Sequence, residues 1–240
     1  GQIEKAISLY TSSIKISDKF PTVFNNRANL YLQKDEIKKA INDLNKVTKL
    51  NPDITSAFQT RGTAYYKLGK LELAIKDFKK ALEQDSSKFK PYVNLGHCYS
   101  RQNNIDSALY YYNKTTKINP EHYEAYLWRG VLNKNINNYK QAEKDFNRAA
   151  KLKPDNPEIF WNRGLMYSSI RKWDKAGQNF TKFIKLQPRN PKGWYYRGSI
   201  MAEQGKFKKA LEDYNKALEL NPQLTVARQK KQIVLKNINK

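Results

Sequence analysis

Apolar residues return along this chain on a helical period nested inside a much longer one. Within 55–67, Phe58, Gly62 and Tyr65 fall at i, i+4 and i+7, one stripe of an α-helix. Within 71–84, Ala74, Phe78 and Ala81 do the same, and polar residues fill the remaining faces. Each stripe then recurs 34 residues further on. Ala6, Ala40, Ala74, Ala108, Ala142, Ala176 and Ala210 hold one column without exception. A bulky column reads Tyr10, Leu44, Phe78, Tyr112, Phe146, Phe180 and Tyr214, and a second reads Phe24, Phe58, Tyr92, Tyr126, Phe160 and Trp194. A small column reads Ala28, Gly62, Gly96, Gly130, Gly164 and Gly198. Proline recurs at Pro52, Pro120, Pro154, Pro188 and Pro222, with Asp18 and Ser86 in the other two slots. Proline cannot continue a helix, so it marks the end of each unit. The pattern predicts helix–turn–helix units. A single such pair cannot bury both of its faces, so neighbours must stack.

These columns resemble the tetratricopeptide repeat over nearly the whole chain. The resemblance implies an all-α fold, a right-handed α-solenoid superhelix of antiparallel helix pairs. In that frame 1–240 is a single solenoid with full repeats at 21–54, 55–88, 89–122, 123–156, 157–190 and 191–224. Residues 1–20 are then the second helix of a truncated repeat, and 225–240 a capping helix whose polar face carries Arg228, Gln229, Lys230, Lys231 and Gln232. Because Gly1 begins partway through a repeat, the chain is expected to be a fragment of a longer protein. Its first helix lacks a partner, so Ile3, Ile7 and Tyr10 are expected to expose apolar surface and offer a place for self-association. Repeat five is irregular: Phe183 stands where small residues are usual, and Gly177 interrupts the same helix. A large residue beside a missing side chain reads as volume compensation or as a local bend.

Charge changes the picture less than its size suggests. The formal net charge is +23. That biases the chain toward acidic partners. The surplus is spread over every repeat, with a modest rise toward the C-terminus, whereas a nucleic-acid footprint clusters on one face. The solvated-surface reading is therefore preferred over nucleic-acid binding. Cys98 is the only cysteine, which excludes an internal disulfide and a thiolate metal site. No apolar run is long enough for a membrane span. The compartment is not indicated, with the cytoplasm slightly favoured.

Arginine forms a further column at the seventh position of each repeat: Arg27, Arg61, Arg129, Arg163 and Arg197. Most members of the resembled family are apolar there. Sixteen residues on stand Asp43, Asp77, Asp145, Asn179 and Asp213, roughly level on the antiparallel partner helix. Repeat three replaces both members together, with Leu95 and Tyr111. The paired loss predicts contact, as Arg27–Asp43, Arg61–Asp77, Arg129–Asp145 and Arg197–Asp213. A structural brace is one reading and a ligand-binding arginine row is the other.

The resemblance also implies that the first helix of each repeat lines a concave groove. The early groove positions are rich in amides and hydroxyls, including Asn26, Thr60, Asn94 and His97. The later ones are apolar and aromatic: Leu127, Trp128, Val131, Trp161, Leu165, Tyr195 and Tyr196. These residues serve as partner anchors or pack across neighbouring first helices. Each aromatic ring could bury ~150–250 Å² on binding. Asn26, Asn94 and Asn162 share one register, where an amide can meet both N–H and C=O of an extended peptide. A similar asparagine row occurs in the O-linked N-acetylglucosamine transferase family, but Thr60, Trp128 and Tyr196 interrupt it here, leaving helix-surface asparagines as the other reading. The carboxylate clamp of chaperone-type repeats is not met. Its lysine and asparagine positions hold Leu127 and Val131 in the best-matching stretch, and only Asn162 and Lys192 agree.

Nothing points to catalysis or to a cofactor. His97 and Cys98 are adjacent on one helix, so their side chains diverge. There is no phosphate-cradling glycine loop and no metal-ligand spacing. The sequence therefore predicts a non-catalytic scaffold that binds a protein or peptide, with an acidic partner allowed by the charge and no membrane insertion. A basic solenoid that binds RNA or another polyanion, and the recognition arm of a larger enzyme, are the alternatives.

Overall fold

The computed structural model describes residues 1–238, and among these it contains fourteen α-helices and no strand. Two compact units divide the chain at Gly1–Pro120 and Glu121–Lys240. Unit 1 holds α1 (Gln2–Ile16), α2 (Pro21–Gln33), α3 (Ile37–Leu50), α4 (Thr55–Lys67), α5 (Leu71–Gln84), α6 (Phe89–Arg101) and α7 (Ile105–Ile118). Unit 2 holds α8 (Tyr123–Asn135), α9 (Tyr139–Leu152), α10 (Pro157–Ser169), α11 (Trp173–Leu186), α12 (Pro191–Glu203), α13 (Phe207–Leu220) and α14 (Thr225–Ile238). The even-numbered helices up to α12 are the first helices of repeats and the odd-numbered ones from α3 are the second. The architecture is an all-α solenoid built from such pairs.

Short turns fold each pair back on itself. After α4 the backbone enters the left-handed region at Gly69 (φ 73°), and the amides of Gly69 and Lys70 return to the carbonyls of Tyr66 and Tyr65 at 3.0 and 2.9 Å. This crossed pair of bonds satisfies carbonyls that the helix end would leave open. Gly205 repeats the conformation, and Asp35, Asn103, Asn137 and Arg171 adopt it with side chains, at φ 55–61°. Three of those four are Asp or Asn, which tolerate it best; Arg171 does not share that advantage.

Packing inside a pair follows from the small column. A Cβ on Gly62, Gly96, Gly130, Gly164 or Gly198 would stand 2.6–3.0 Å from the ring of Phe78, Tyr112, Phe146, Phe180 or Tyr214 respectively. The ring from the second helix lies directly on the backbone of the first. Repeat one keeps the contact with the volumes redistributed, as Ala28 faces the smaller Leu44 and both are fully buried. Phe78, Tyr112, Phe146, Phe180 and Tyr214 are essentially inaccessible to solvent.

The ends of the chain differ. In α1 no residue is fully buried. Ile3, Ile7 and Tyr10 are half-covered, and the exposed apolar residues are Leu9, Ile16 and Phe20. The three expected residues thus keep part of their surface open, and Leu9, Ile16 and Phe20 add more. At the other end α14 buries Ala227 and Val234 and packs on α13. Residues 239 and 240 of the expected capping helix lie outside the described residues.

Repeat five requires a correction. The space for Phe183 does not come from Gly177. A Cβ at Gly177 would meet only Ile200 Cγ2 and Met201 Cε, both at an ordinary 3.7 Å. The compensating glycine is Gly193, in the next repeat, where a Cβ would stand 2.8 Å from the Phe183 ring. Phe183 replaces a residue that is alanine at 81, 149 and 217, so volume is exchanged between α11 and α12 and not along α11.

Candidate functional site

Two sets of side chains were singled out from the sequence, and the structure places them differently. The arginine column lies between helices. Arg27 Nε and Nη2 donate to Asp43 at 2.7 Å each. Arg61 reaches Asp77 twice at 2.8 Å. Arg129 reaches Asp145 at 3.0 and 2.6 Å, and Arg197 reaches Asp213 at 2.8 and 2.6 Å. Every one is a two-pronged guanidinium–carboxylate pair, the strong geometry for such contacts. All four aspartates are buried. At Arg61 the bonds from Asp77 raise the pKa of the guanidinium against the opposing effect of burial.

The third donor does something the spacing did not disclose. Arg27 Nη1 donates to Thr11 at 3.0 Å, and Arg61 Nη1 donates to Asn45 and Thr48 at 3.0 and 2.6 Å. Arg197 Nη1 donates to Thr181 at 3.4 Å. Thr11, Asn45 and Thr181 precede their arginines by sixteen residues, just as the aspartates follow by sixteen. Each of these arginines therefore ties three helices, its own and the second helices on either side. The polar column that receives the third bond was the missed signal.

Two repeats depart from this brace in opposite ways. In repeat three, Leu95 is fully buried and Tyr111 stacks on Tyr99 with ring centroids 5.4 Å apart, so an apolar contact replaces the ionic one. In repeat five, Arg163 remains but its partner is Asn179, whose Oδ1 accepts from Nε at 2.6 Å. The Asn179 amide nitrogen turns to the carbonyl of Lys175 at 2.7 Å, and Nη1 finds Asn147 at 2.9 Å. No carboxylate lies within ion-pair distance among the described residues. Burial lowers the pKa of this guanidinium.

The second set lies on the first helices. In unit 2, Trp128, Val131, Trp161, Leu165, Tyr195 and Tyr196 are half-exposed on α8, α10 and α12. Leu127 is not: only 1% of it is accessible, and it belongs to the core with Ala142, Phe146 and Ile159. It is a packing residue and leaves the set. The aromatic rings also pack on one another. Trp161 meets Tyr196 edge-on at 4.9 Å and Phe183 at 5.1 Å, while Tyr195 meets Tyr196 at 5.2 Å. Trp161, Tyr195 and Tyr196 thus form a contiguous, half-exposed aromatic cluster over the buried Phe183.

Beside this surface is a recess of about 250 Å³, lined by Pro157, Glu158, Trp161, Phe183, Gln187, Asn190 and Lys192. Asn156 caps the first turn of α10 by accepting from Glu158 N at 2.9 Å, and Asn190 does the same for Lys192 N at 3.1 Å. Glu158 is exposed at the edge of the recess, and partial burial, then the nearby Glu124 carboxylate, raise its pKa. Lys134, on α8, has its pKa lowered by burial.

In unit 1 the counterparts are polar. Asn26 is exposed, and Asn94 and His97 are half-exposed. His97 Nδ1 lies 2.8 Å from the hydroxyl of Tyr112, a ring of the glycine-facing column, so this histidine is anchored to the core. In unit 2, Asn162 donates to the carbonyl of Glu158 at 3.0 Å, within its own helix. Asn162 thus has less amide capacity for a peptide than its register suggests. Cys98 is fully buried, and burial pushes its thiol up to about 12. Among the described residues no group of three His, Cys, Asp or Glu could hold a metal ion, and no helix is long and apolar enough to cross a membrane.

Stacked helix pairs, most of them locked by a ring on a glycine and several strapped by an arginine to a preceding helix, define a helical repeat protein. Family profiles described as tetratricopeptide repeat match residues 21–54, 89–122 and 191–224, and a profile described as TPR repeat matches 62–103 and 135–170. The chain belongs to the tetratricopeptide repeat family. No curated protein sequence matches it. Among solved structures it is similar to pilF of Pseudomonas aeruginosa, with TM-score 0.75 at 16% identity, covering 97% of this chain and 99% of that one. It is also similar to a chain of the APC/C hetero-tetramer Cut9-Hcn1, with TM-score 0.73 at 16% identity over 97% of this chain. The match spans only 46% of the length of that Cut9-Hcn1 chain. A tetratricopeptide repeat protein from Parabacteroides merdae gives TM-score 0.63 at 19% identity, covering 90% and 98%. Identities this low establish the fold alone. Proteins of this fold generally act as non-catalytic scaffolds for protein–protein interaction, with proteins or peptides as partners.

Proposed function

We propose that this chain is a non-catalytic interaction module and that the first-helix wall of unit 2 holds an extended segment of a partner protein. Trp128, Val131, Trp161, Leu165, Tyr195 and Tyr196 are its anchors. The observation that carries this reading is the half-exposure of Trp161, Tyr195 and Tyr196 at positions outside the packing columns. Phe180 and Tyr214, the rings that lie on glycine inside a helix pair, are covered, whereas these three keep an open side on the first helices. Large, stiff, partly desolvated aromatics on a preformed surface are what binding hot spots are made of.

The test is quantitative binding of a partner recovered by affinity capture, comparing wild type with the double substitution Trp128→Ala/Trp161→Ala. Binding by the wall requires the double variant to lose about 2 kcal/mol or more of affinity while remaining folded by circular dichroism. Affinity that is indifferent to both tryptophans and falls about a thousandfold or more between 50 and 200 mM salt would identify a polyanion-binding solenoid instead.

A further inference from the structure

We propose that the recess between the first turns of α10 and α12 receives one basic side chain, lysine or arginine, of the partner segment. This rests on the reading of the wall as a partner-binding surface and adds the chemistry of what enters it.

The apolar part of the recess is specific to this place in the chain. Its two rings are Trp161 and Phe183, 5.1 Å apart and tilted by 46°. Phe183 is admitted only because residue 193 is glycine. One repeat earlier, the register of Gly193 is held by the fully buried Ile159, and the register of Trp161 by Leu127, which shares a core cluster with Ile159 and is covered. The same backbone frame therefore closes over Leu127 and opens beside Trp161. An opening of about 250 Å³ is too small for a folded element and suits a single side chain.

The polar part selects the charge. Glu158 stands at the mouth, and no Lys, Arg or His lies within ion-pair distance of it among the described residues. Glu124 occupies the same register on α8 and adds a second carboxylate to the local field. A carboxylate that lines the same recess as an indole attracts a cation twice, by charge and through the ring quadrupole. Lys192 also lines the recess, but it is exposed, forms no ion pair with Glu158, and its four-carbon stem can carry the ammonium into water. The helix N-termini do not make this an anion site, because Asn156 and Asn190 already accept from their first amides.

Charge across the whole wall agrees. At the wall positions of α2, α4 and α6 stand Lys67, Lys90 and Arg101 with no acid. At those of α8, α10 and α12 stand Glu124, Glu158 and Glu203 against Lys134 and Lys192. In a chain of net charge +23, this is the stretch of wall where carboxylates outnumber cations.

The experiment is selection of a random twelve-residue peptide library displayed on phage, run in parallel on the full chain and on its Glu158→Gln variant. Wild type is expected to enrich sequences with one invariant Lys or Arg beside apolar positions. Glu158→Gln is expected to enrich the apolar positions without the basic one and to bind the wild-type-selected peptide about tenfold more weakly, as for loss of one partly desolvated ion pair. Enrichment on wild type with a neutral or acidic residue at that place, or a basic residue retained on Glu158→Gln with unchanged affinity, overturns this inference and leaves the binding wall standing. Absence of enrichment on wild type overturns both.

Discussion

The first-helix walls of the two units share one hidden frame and show opposite faces to a partner. Beneath each wall, rings lie on glycine, or in repeat one Leu44 on Ala28, and arginines strap three helices together. Outward, α2, α4 and α6 present amides, hydroxyls and cations. In the same registers α8, α10 and α12 present Trp128, Trp161 and Tyr196, with Glu124 and Glu158 close by. On the proposed reading, the difference teaches that cohesion and recognition occupy largely separate columns. Most wall positions lie outside the frame columns, Leu127 being the exception that packs into the core.

That separation can be broken from the frame side with the largest effect. Asp77→Ala in unit 1 and Asp213→Ala in unit 2 each strand a mostly buried guanidinium, and each is expected to cost about 3–5 kcal/mol in chemical unfolding. The two costs should be similar, since the braces have the same geometry. A cost under about 1 kcal/mol in either would mean that water already screens the pair. From the wall side, Trp128→Ala/Trp161→Ala should remove about 2 kcal/mol or more of partner affinity, while Thr60→Ala/Asn94→Ala, in unit 1, should leave it within about 0.5 kcal/mol. Equal losses from both walls would contradict the comparison.

Two gains sharpen it. Asn179→Asp offers Arg163 the carboxylate that its four counterparts have, and is expected to raise stability by about 1–2 kcal/mol in urea titration. A loss there would show that repeat five has been built around the amide. Gly177→Ala should add roughly 1 kcal/mol, because a Cβ meets only ordinary contacts at 3.7 Å and helix propensity improves. Gly193→Ala should do the reverse, since its Cβ would press on Phe183 at 2.8 Å.

The frame was legible in the sequence because each of its columns admits few residues for a physical reason. Glycine is needed where a ring touches backbone, and proline where a helix must stop. Arginine paired with aspartate sixteen residues on could be read because repeat three lost both members at once. What was not legible involved neighbours in the next repeat. Leu127 and Trp161 share a register, yet Leu127 is covered in a cluster with Ile159, while the residue in the register of Ile159 one repeat on is Gly193, whose missing side chain makes room for Phe183. Phe183 was assigned to Gly177 along its own helix because the exchange of volume between α11 and α12 leaves no periodic trace. The charge of the recess was hidden in the same way, since Glu158 gains meaning only beside Trp161 and Phe183.

The most direct measurement is fluorine NMR of the chain carrying 5-fluorotryptophan, titrated with the captured partner. The chain has four tryptophans, and two of them are internal controls: Trp194 donates to the carbonyl of Pro188 at 2.9 Å beneath Arg197, and Trp173 begins a second helix. Binding at the first-helix wall of unit 2 requires the Trp128 and Trp161 resonances to shift or broaden while those of Trp173 and Trp194 stay in place. Movement of Trp173 or Trp194 with Trp128 and Trp161 unchanged would place the partner elsewhere and contradict the account.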